Sequence, residues 1–94
     1  MDIVSIRHRG LREYYLTGNA RGLKQDLISR VRTVLFALEA APDMEALEGP
    51  PGWRIHQLRG ERAGQWSISI SGNWRLTFRI DDGSIADMDL EDYH

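Results

Sequence analysis

The sequence predicts an α+β fold, a small antiparallel β-sheet with two N-terminal helices packed on one face. Three observations carry this. Apolar residues between Leu23 and Leu38 recur every three or four positions, the period of one helix face. From Trp66 to Leu90 they alternate with period two, as in strands with one buried side. Between the alternating runs stand Ser71-Gly72-Asn73 and Asp81-Asp82-Gly83-Ser84, short turn signals of the kind that join antiparallel neighbours.

Taken in order, Ile3 to Ile6 reads as a first short strand. Leu11 to Leu16 reads as a short helix, closed by Gly18, which suits a left-handed cap. The main helix spans Leu23 to Leu38, with Leu23, Leu27, Val31, Val34, Leu35 and Leu38 on its buried face. Gly22 precedes it and Pro42 ends it, because proline lacks the backbone donor and clashes with the preceding turn. Pro42 to Gly52, with three prolines and two glycines, is an irregular connection, and Arg54 to Leu58 follows as a strand. Trp66, Ile68 and Ile70 then point one way and Ser67, Ser69 and Ser71 the other. The next strand turns Trp74, Leu76, Phe78 and Ile80 inward and Arg75, Thr77 and Arg79 outward. The last, about Ile85 to Leu90, buries Ala86, Met88 and Leu90 and keeps an acidic outer face. Trp66 and Trp74 continue apolar faces, which leaves Trp53, beside Gly52, as the exposed tryptophan.

Register follows from the pattern, since a slip of one residue would move every apolar side chain to the wrong face. Ile70 is expected opposite Trp74, Ile68 opposite Leu76 and Ser69 opposite Arg75. In the last hairpin Phe78 should face Met88 and Leu76 face Leu90, with Arg79 by Asp87 and Arg75 by Glu91. The polar face then centres on Arg75.

A chain of 94 residues, 41% of them hydrophobic, suffices for one domain, residues 1–94, with a single core. No membrane span and no basic-then-apolar leader is visible, which predicts a cytoplasmic protein. The absence of cysteine removes disulfides, a thiolate nucleophile and cysteine-based zinc sites. His8, His56 and His94 are too scattered to suggest a metal cluster, and no phosphate-loop, His-Glu-x-x-His or Gly-x-Ser-x-Gly pattern occurs. Neither a metal nor a cofactor is expected.

The net charge of −2 averages over blocks of opposite sign. Residues 1–32 carry seven bases against three acids, and residues 54–79 carry five arginines against Glu61. Asp81 to Asp92 holds six acids and no base. Eleven of the twelve basic residues are arginine, whose planar guanidinium binds phosphate through paired donors and stacks on bases. That bias fits RNA contact; solvation or pairing with the acids accounts for it equally well.

Cleavage of RNA through its own 2′-hydroxyl needs a base for that proton, an acid for the leaving 5′-oxygen and a cation for the phosphorane charge. Arg75, clamped mid-strand, and the ending Asp92-Tyr93-His94 offer such a set, histidine being the natural proton carrier near neutral pH. The plain alternatives stand beside this reading. Arg75 pairs with Glu91 or Asp87 across the sheet, His94 is a solvated chain end, and His56 is a hydrogen-bonded strand histidine. Arg59 and Arg62, flanking Gly60 and Glu61, are phosphate contacts or a solvated turn.

Arg7-His8-Arg9-Gly10-Leu11, Ile55-His56-Gln57-Leu58-Arg59-Gly60, Gly64-Gln65-Trp66-Ser67-Ile68, Gly72-Asn73-Trp74-Arg75-Leu76-Thr77-Phe78 and Glu91-Asp92-Tyr93-His94 together resemble the HigB-type branch of the RelE/ParE toxins. The resemblance spans nearly the whole chain, and the pairing of a Gly-Asn-Trp-Arg-Leu strand with an Asp-Tyr-His ending is specific. It implies a toxin of a type II toxin-antitoxin system that cleaves mRNA in the A site of the 70S ribosome without a metal. A HigA-type antitoxin bearing a helix-turn-helix would neutralise it, and the toxin itself would read no DNA and bind no membrane. His56, Asp92, Tyr93 and His94 are similar to the family's active-site set, and Arg75 to its phosphate-stabilising arginine. Arg59, with Arg62, Arg7 and Arg9, is expected on the substrate side. Where the family often has lysine and proline after the histidine, this chain has Gln57 and Arg59. The alternative within the superfamily is a ParE-like inhibitor of DNA gyrase without nuclease activity.

Overall fold

The computed structural model describes residues 1–93; His94 lies outside them. Helix α1 (Arg9–Thr17) starts two residues before the expected Leu11 because His8 caps it, Nδ1 accepting the Leu11 N–H at 3.0 Å. Gly18 closes it in the left-handed region (φ 82°), its N–H on the Tyr14 carbonyl, as a left-handed cap requires. Helix α2 (Ile28–Ala40) is shorter than predicted. Lys24 is extended (φ −62°, ψ 129°) and Gln25–Leu27 form a 3₁₀ turn, so Leu23 and Leu27 reach the core from an irregular lead-in. Apolar spacing reports which residues face inward and leaves the backbone bonding of that lead-in open. At the other end Ala41 is extended before Pro42. The Met1 amino group donates to the carbonyls of Leu38, Glu39 and Ala41, placing positive charge at the negative end of α2.

Four strands follow: β1 (His56–Gln57), β2 (Gln65–Ser71), β3 (Trp74–Asp81) and β4 (Ser84–Asp92). They form one sheet in that order, each antiparallel to its neighbour. β1 is shorter than the expected Arg54–Leu58 because Pro51–Trp53 form a 3₁₀ turn and Arg54 is left-handed (φ 49°). The N-terminal segment departs from the antiparallel expectation. Ile3 and Ile6 make isolated bridges to Ile85 and Met88 and run parallel to β4. A regular ladder is broken between them by Asp87, which sits at φ 53° with its N–H on Ser5 Oγ.

Ser69 opposite Arg75, Ile68 opposite Leu76, Leu76 opposite Leu90 and Arg75 opposite Glu91 are as expected. Two bulges shift the remainder. In β2 an extra residue puts Ser71, rather than Ile70, opposite Trp74, and Arg30 Nη1 takes the Ile70 carbonyl at 2.9 Å. In β4 the register slips so that Arg79 faces Ala86, which removes the expected pairing of Phe78 with Met88. Arg79 still reaches Asp87, Nε to Oδ2 at 2.7 Å. Bulges add one residue to one strand, and strict alternation carries no mark of them.

The core joins Leu11, Leu27, Val31, Val34 and Leu38 to Ile68, Leu76, Phe78, Ile85 and Met88, all buried. Trp53, expected exposed, is half-buried against this core, its ring filling the space beside Gly49. Both helices therefore lie on the apolar face, and the face carrying Arg75 is left for other work. Among the described residues no helix is long and apolar enough to cross a membrane.

Candidate active site

The polar face of the sheet is ordered in two rows. His56 lies opposite Ser67, Ser67 opposite Thr77 and Thr77 opposite Asp89. In the next row Ser69 lies opposite Arg75 and Arg75 opposite Glu91. Over these rows opens a cleft of about 830 Å³ lined by, among others, His56, Arg75 and Tyr93. Three of the residues singled out from the sequence are thus brought together from β1, β3 and the end of β4.

Arg54 orients the histidine ring. Its left-handed backbone presents its carbonyl 2.6 Å from His56 Nδ1. A carbonyl only accepts, so Nδ1 donates in this contact and Nε2 is the ring nitrogen it does not engage. His56 is exposed and lines the cleft.

Arg75 is half-buried, and its guanidinium carbon lies 3.9 Å from the centroid of the Tyr93 ring. Its Nε is buried without a hydrogen-bond partner among the described residues. A buried donor on a cation lacking a partner is costly, and an anion entering the cleft would satisfy it. Tyr93 is 58% exposed and is anchored by its N–H on the Asn73 carbonyl at 2.7 Å.

The cross-strand pairing of Arg75 with Glu91 exists in the backbone, but the carboxylate goes elsewhere. Arg62 grips Glu91 through both ends of its guanidinium, Nη1 to Oε1 at 3.0 Å and Nη2 to Oε2 at 2.6 Å. Arg62 also bonds Gln65, and the buried Thr77 hydroxyl donates to Glu91 Oε2. The Arg62 hydrogen bonds hold the Glu91 carboxyl below its ordinary range, against the opposing effect of burial and with help from Thr77. The Glu91 bond in turn raises Arg62.

The other expected site residues among those described do not line the cleft. Arg62 is engaged within the sheet's polar face rather than presented to the cleft. Asp92 faces Trp74 at the end of β4, next to rather than in line with Glu91 and Tyr93, and it does not line the cleft. Arg59 is exposed just before the Gly60–Arg62 turn. Arg7 and Arg9 are exposed where the N-terminal segment leaves the edge of β4 and enters α1. His94 falls outside the described residues. Arg54, Ser67, Ser69 and Asn73 line the cleft and were not singled out from the sequence. Only the left-handed turn gives Arg54 its place, and the Pro50-Pro51-Gly52 run signals a turn without its handedness.

A second hollow of about 310 Å³ lies between the helices, where Tyr15 donates to Glu39 at 2.8 Å beside Arg32 and Phe36. It brings no histidine to its lining. Among the described residues no group of three or more acidic or histidine side chains is placed to hold a metal ion.

Residues 4–94 match the model of the HigB-like toxins, described as RelE-like toxins of type II toxin-antitoxin systems. The chain is 33% identical over 92 residues to the endoribonuclease HigB of Proteus vulgaris, covering 98% of this chain and 99% of that one. Its fold is similar to that of the toxin-antitoxin complex YoeB-YefM of Staphylococcus aureus, with a TM-score of 0.62 and 20% identity over 100% of this chain and 99% of that one. It is also similar to a YafQ variant from E. coli, with a TM-score of 0.59 and 13% identity over 94% and 91% of the two chains.

Proposed function

The chain belongs to the HigB-like toxins of type II toxin-antitoxin systems, and from that premise we propose that it is an endoribonuclease that cuts mRNA on the ribosome, in the A site, using the cleft around Arg75. The observation that carries the assignment of the site is the half-buried Arg75, its Nε without a partner among the described residues, in one cleft with His56 and Tyr93.

In the reaction the 2′-oxygen of the substrate attacks the adjacent phosphorus as its proton passes to a base, and the bond to the 5′-oxygen breaks as that oxygen takes a proton from an acid. The products are a 2′,3′-cyclic phosphate and a 5′-hydroxyl. Arg75 meets the charge that builds on the non-bridging oxygens, where a preorganised donor acts most strongly. His94 carries a proton by its place in the Asp92-Tyr93-His94 motif, and His56, its Nδ1 held by the Arg54 carbonyl, carries or positions the second. Tyr93 stacks on a base while its other contact, to Arg75, fixes the guanidinium. Asp92 orients a histidine. Arg59, Arg7 and Arg9 contribute sequence-independent attraction to the RNA and ribosome backbone. Every step is assigned to side chains of this chain and needs no cofactor.

The partner antitoxin is of the HigA type, carrying the helix-turn-helix that reads operator DNA, and the toxin acts in the cytoplasm as one domain over residues 1–94. The test is mapping of mRNA 5′ ends in a translation reaction with purified protein, with and without ribosomes, beside Arg75→Ala and His94→Ala. New ends confined to translated message and lost in both variants are expected. Intact message together with inhibited gyrase supercoiling would overturn the reading in favour of a ParE-like inhibitor.

A further inference from the structure

We propose that Arg62 is a positioning residue that acts by occupying Glu91, and so keeps Arg75 free for phosphate; this rests on the function proposed above and deepens it. The argument begins with register. Arg75 and Glu91 are direct cross-strand partners, on the face they share with Thr77 and Tyr93. Opposite residues in an antiparallel pair stand close enough to interact directly, and opposite charges there attract. Left alone, this carboxylate is the counter-ion directly across the sheet from the arginine that must meet the substrate. An arginine satisfied by its own sheet has little to gain from a phosphate.

The observed contacts turn the carboxylate's hydrogen bonds to other partners, although Arg75 remains near enough to act on Glu91 through space. Arg62 arrives from the Gly60–Arg62 turn and takes both carboxylate oxygens, while Thr77 adds a third bond to Oε2. Bidentate pairing of a guanidinium with a carboxylate is the strong, directional form of the ion pair. Arg62 is itself fixed by two bonds to Gln65 Oε1. With its neighbour saturated, Arg75 leans on Tyr93 at 3.9 Å and leaves Nε without a partner among the described residues. An arginine that sequence places among the phosphate contacts is thus the guard of the phosphate contact.

The proposal separates from a direct substrate role by second-site rescue. Arg62→Ala, Glu91→Gln and the double variant are assayed for cleavage in the translation reaction, and folding is followed by thermal unfolding. Arg62→Ala is expected to lose about tenfold or more in activity, the size of coupling seen between contacting residues in one ionic network. Most of that loss should appear in kcat, since the transition-state charge is what Arg75 meets. Glu91→Gln is expected to stay near wild type, and the double variant to return to its level. If the folded double variant is as impaired as Arg62→Ala, Arg62 touches substrate or holds the fold for its own sake, and the proposal is wrong.

A second measurement does not depend on nuclease activity. The Tyr93 ring current should shift the Arg75 side-chain proton resonances upfield in the wild type. Arg62→Ala should abolish the shift as Arg75 swings to Glu91, and the double variant should restore it. An unchanged Arg75 signal in Arg62→Ala overturns the proposal whether or not the protein cleaves RNA.

Discussion

The Arg75 guanidinium packs on the Tyr93 ring with 3.9 Å between its carbon and the ring centroid, although Arg75 lies in β3 and Tyr93 just past the end of β4. The contact orients a planar cation over an aromatic face, which attracts it electrostatically. It also couples two roles, since whatever moves the tyrosine also moves the cation. Two consequences for catalysis follow.

Replacing Arg75 by alanine should lower kcat by about 10²–10³-fold, the loss that follows removal of one preorganised donor to developing charge. Arg75→Lys should recover only a small part of this. Lysine restores the charge, but a point ammonium has neither the fork geometry nor the flat face that lies on Tyr93. Single-turnover cleavage of a ribosome-bound message distinguishes the two variants. Equal activity of lysine and arginine would show that charge alone suffices.

Tyr93→Phe should remain within about threefold of wild type, because the ring that supports Arg75 is kept. Tyr93→Ala removes both the platform for the cation and the surface for a base, and stacking alone contributes on the order of 1–3 kcal/mol per base. The alanine variant should therefore raise KM as well as lower kcat. Loss of activity in the phenylalanine variant would instead assign the hydroxyl a part in proton transfer.

The Glu91 pair predicts an acid limb to stability. Its carboxyl is held below its ordinary value, first by the Arg62 hydrogen bonds, so the folded state binds that proton more weakly than the unfolded chain does. The resulting stabilisation is present above the unfolded pKa and is lost as pH falls through the folded one. Urea unfolding of wild type and Glu91→Gln should show wild type ahead at neutral pH and the gap closing in acid. Both partners are partly open to solvent, so the difference should be small and should shrink with salt. A gap that persists at acid pH would show that the glutamate acts through packing instead.

The same region shows what the sequence made legible. Alternation identified Arg75 as a polar-face residue and paired it with Ser69 and Glu91, as found. It placed the two helices on the opposite face through Val31, Val34 and Leu38, which are buried as expected. Where the reading failed, the missing information was not local. The claim of Arg62 on Glu91 crosses from a turn to the far end of β4, and no spacing rule links them. The positive φ at Arg54 and Asp87, which aims the His56 ring and breaks the N-terminal ladder, falls on non-glycine residues, where it is uncommon even though aspartate adopts it more readily than arginine. Both bulges lie in runs whose side-chain pattern is regular, so period two describes the faces correctly while the pairing slips beneath it.

One contact far from the cleft tests the helix layer. A Cβ built on Gly10 would lie 2.2 Å from the Gly22 carbonyl oxygen, so the start of α1 passes the lead-in to α2 at backbone distance. The obstacle is main chain on both sides and has no rotamer by which to yield. Gly10→Ala should therefore destabilise the fold by about 1–3 kcal/mol, the usual cost of forcing extra atoms into a packed site, even though alanine favours helix over glycine. Gly52→Ala is the control, because a Cβ there meets nothing within 4 Å. Urea denaturation should show a lowered midpoint for Gly10→Ala alone. If Gly10→Ala is as stable as wild type, α1 can move away from Gly22 without cost, and the close approach contributes nothing to holding the helices on the sheet.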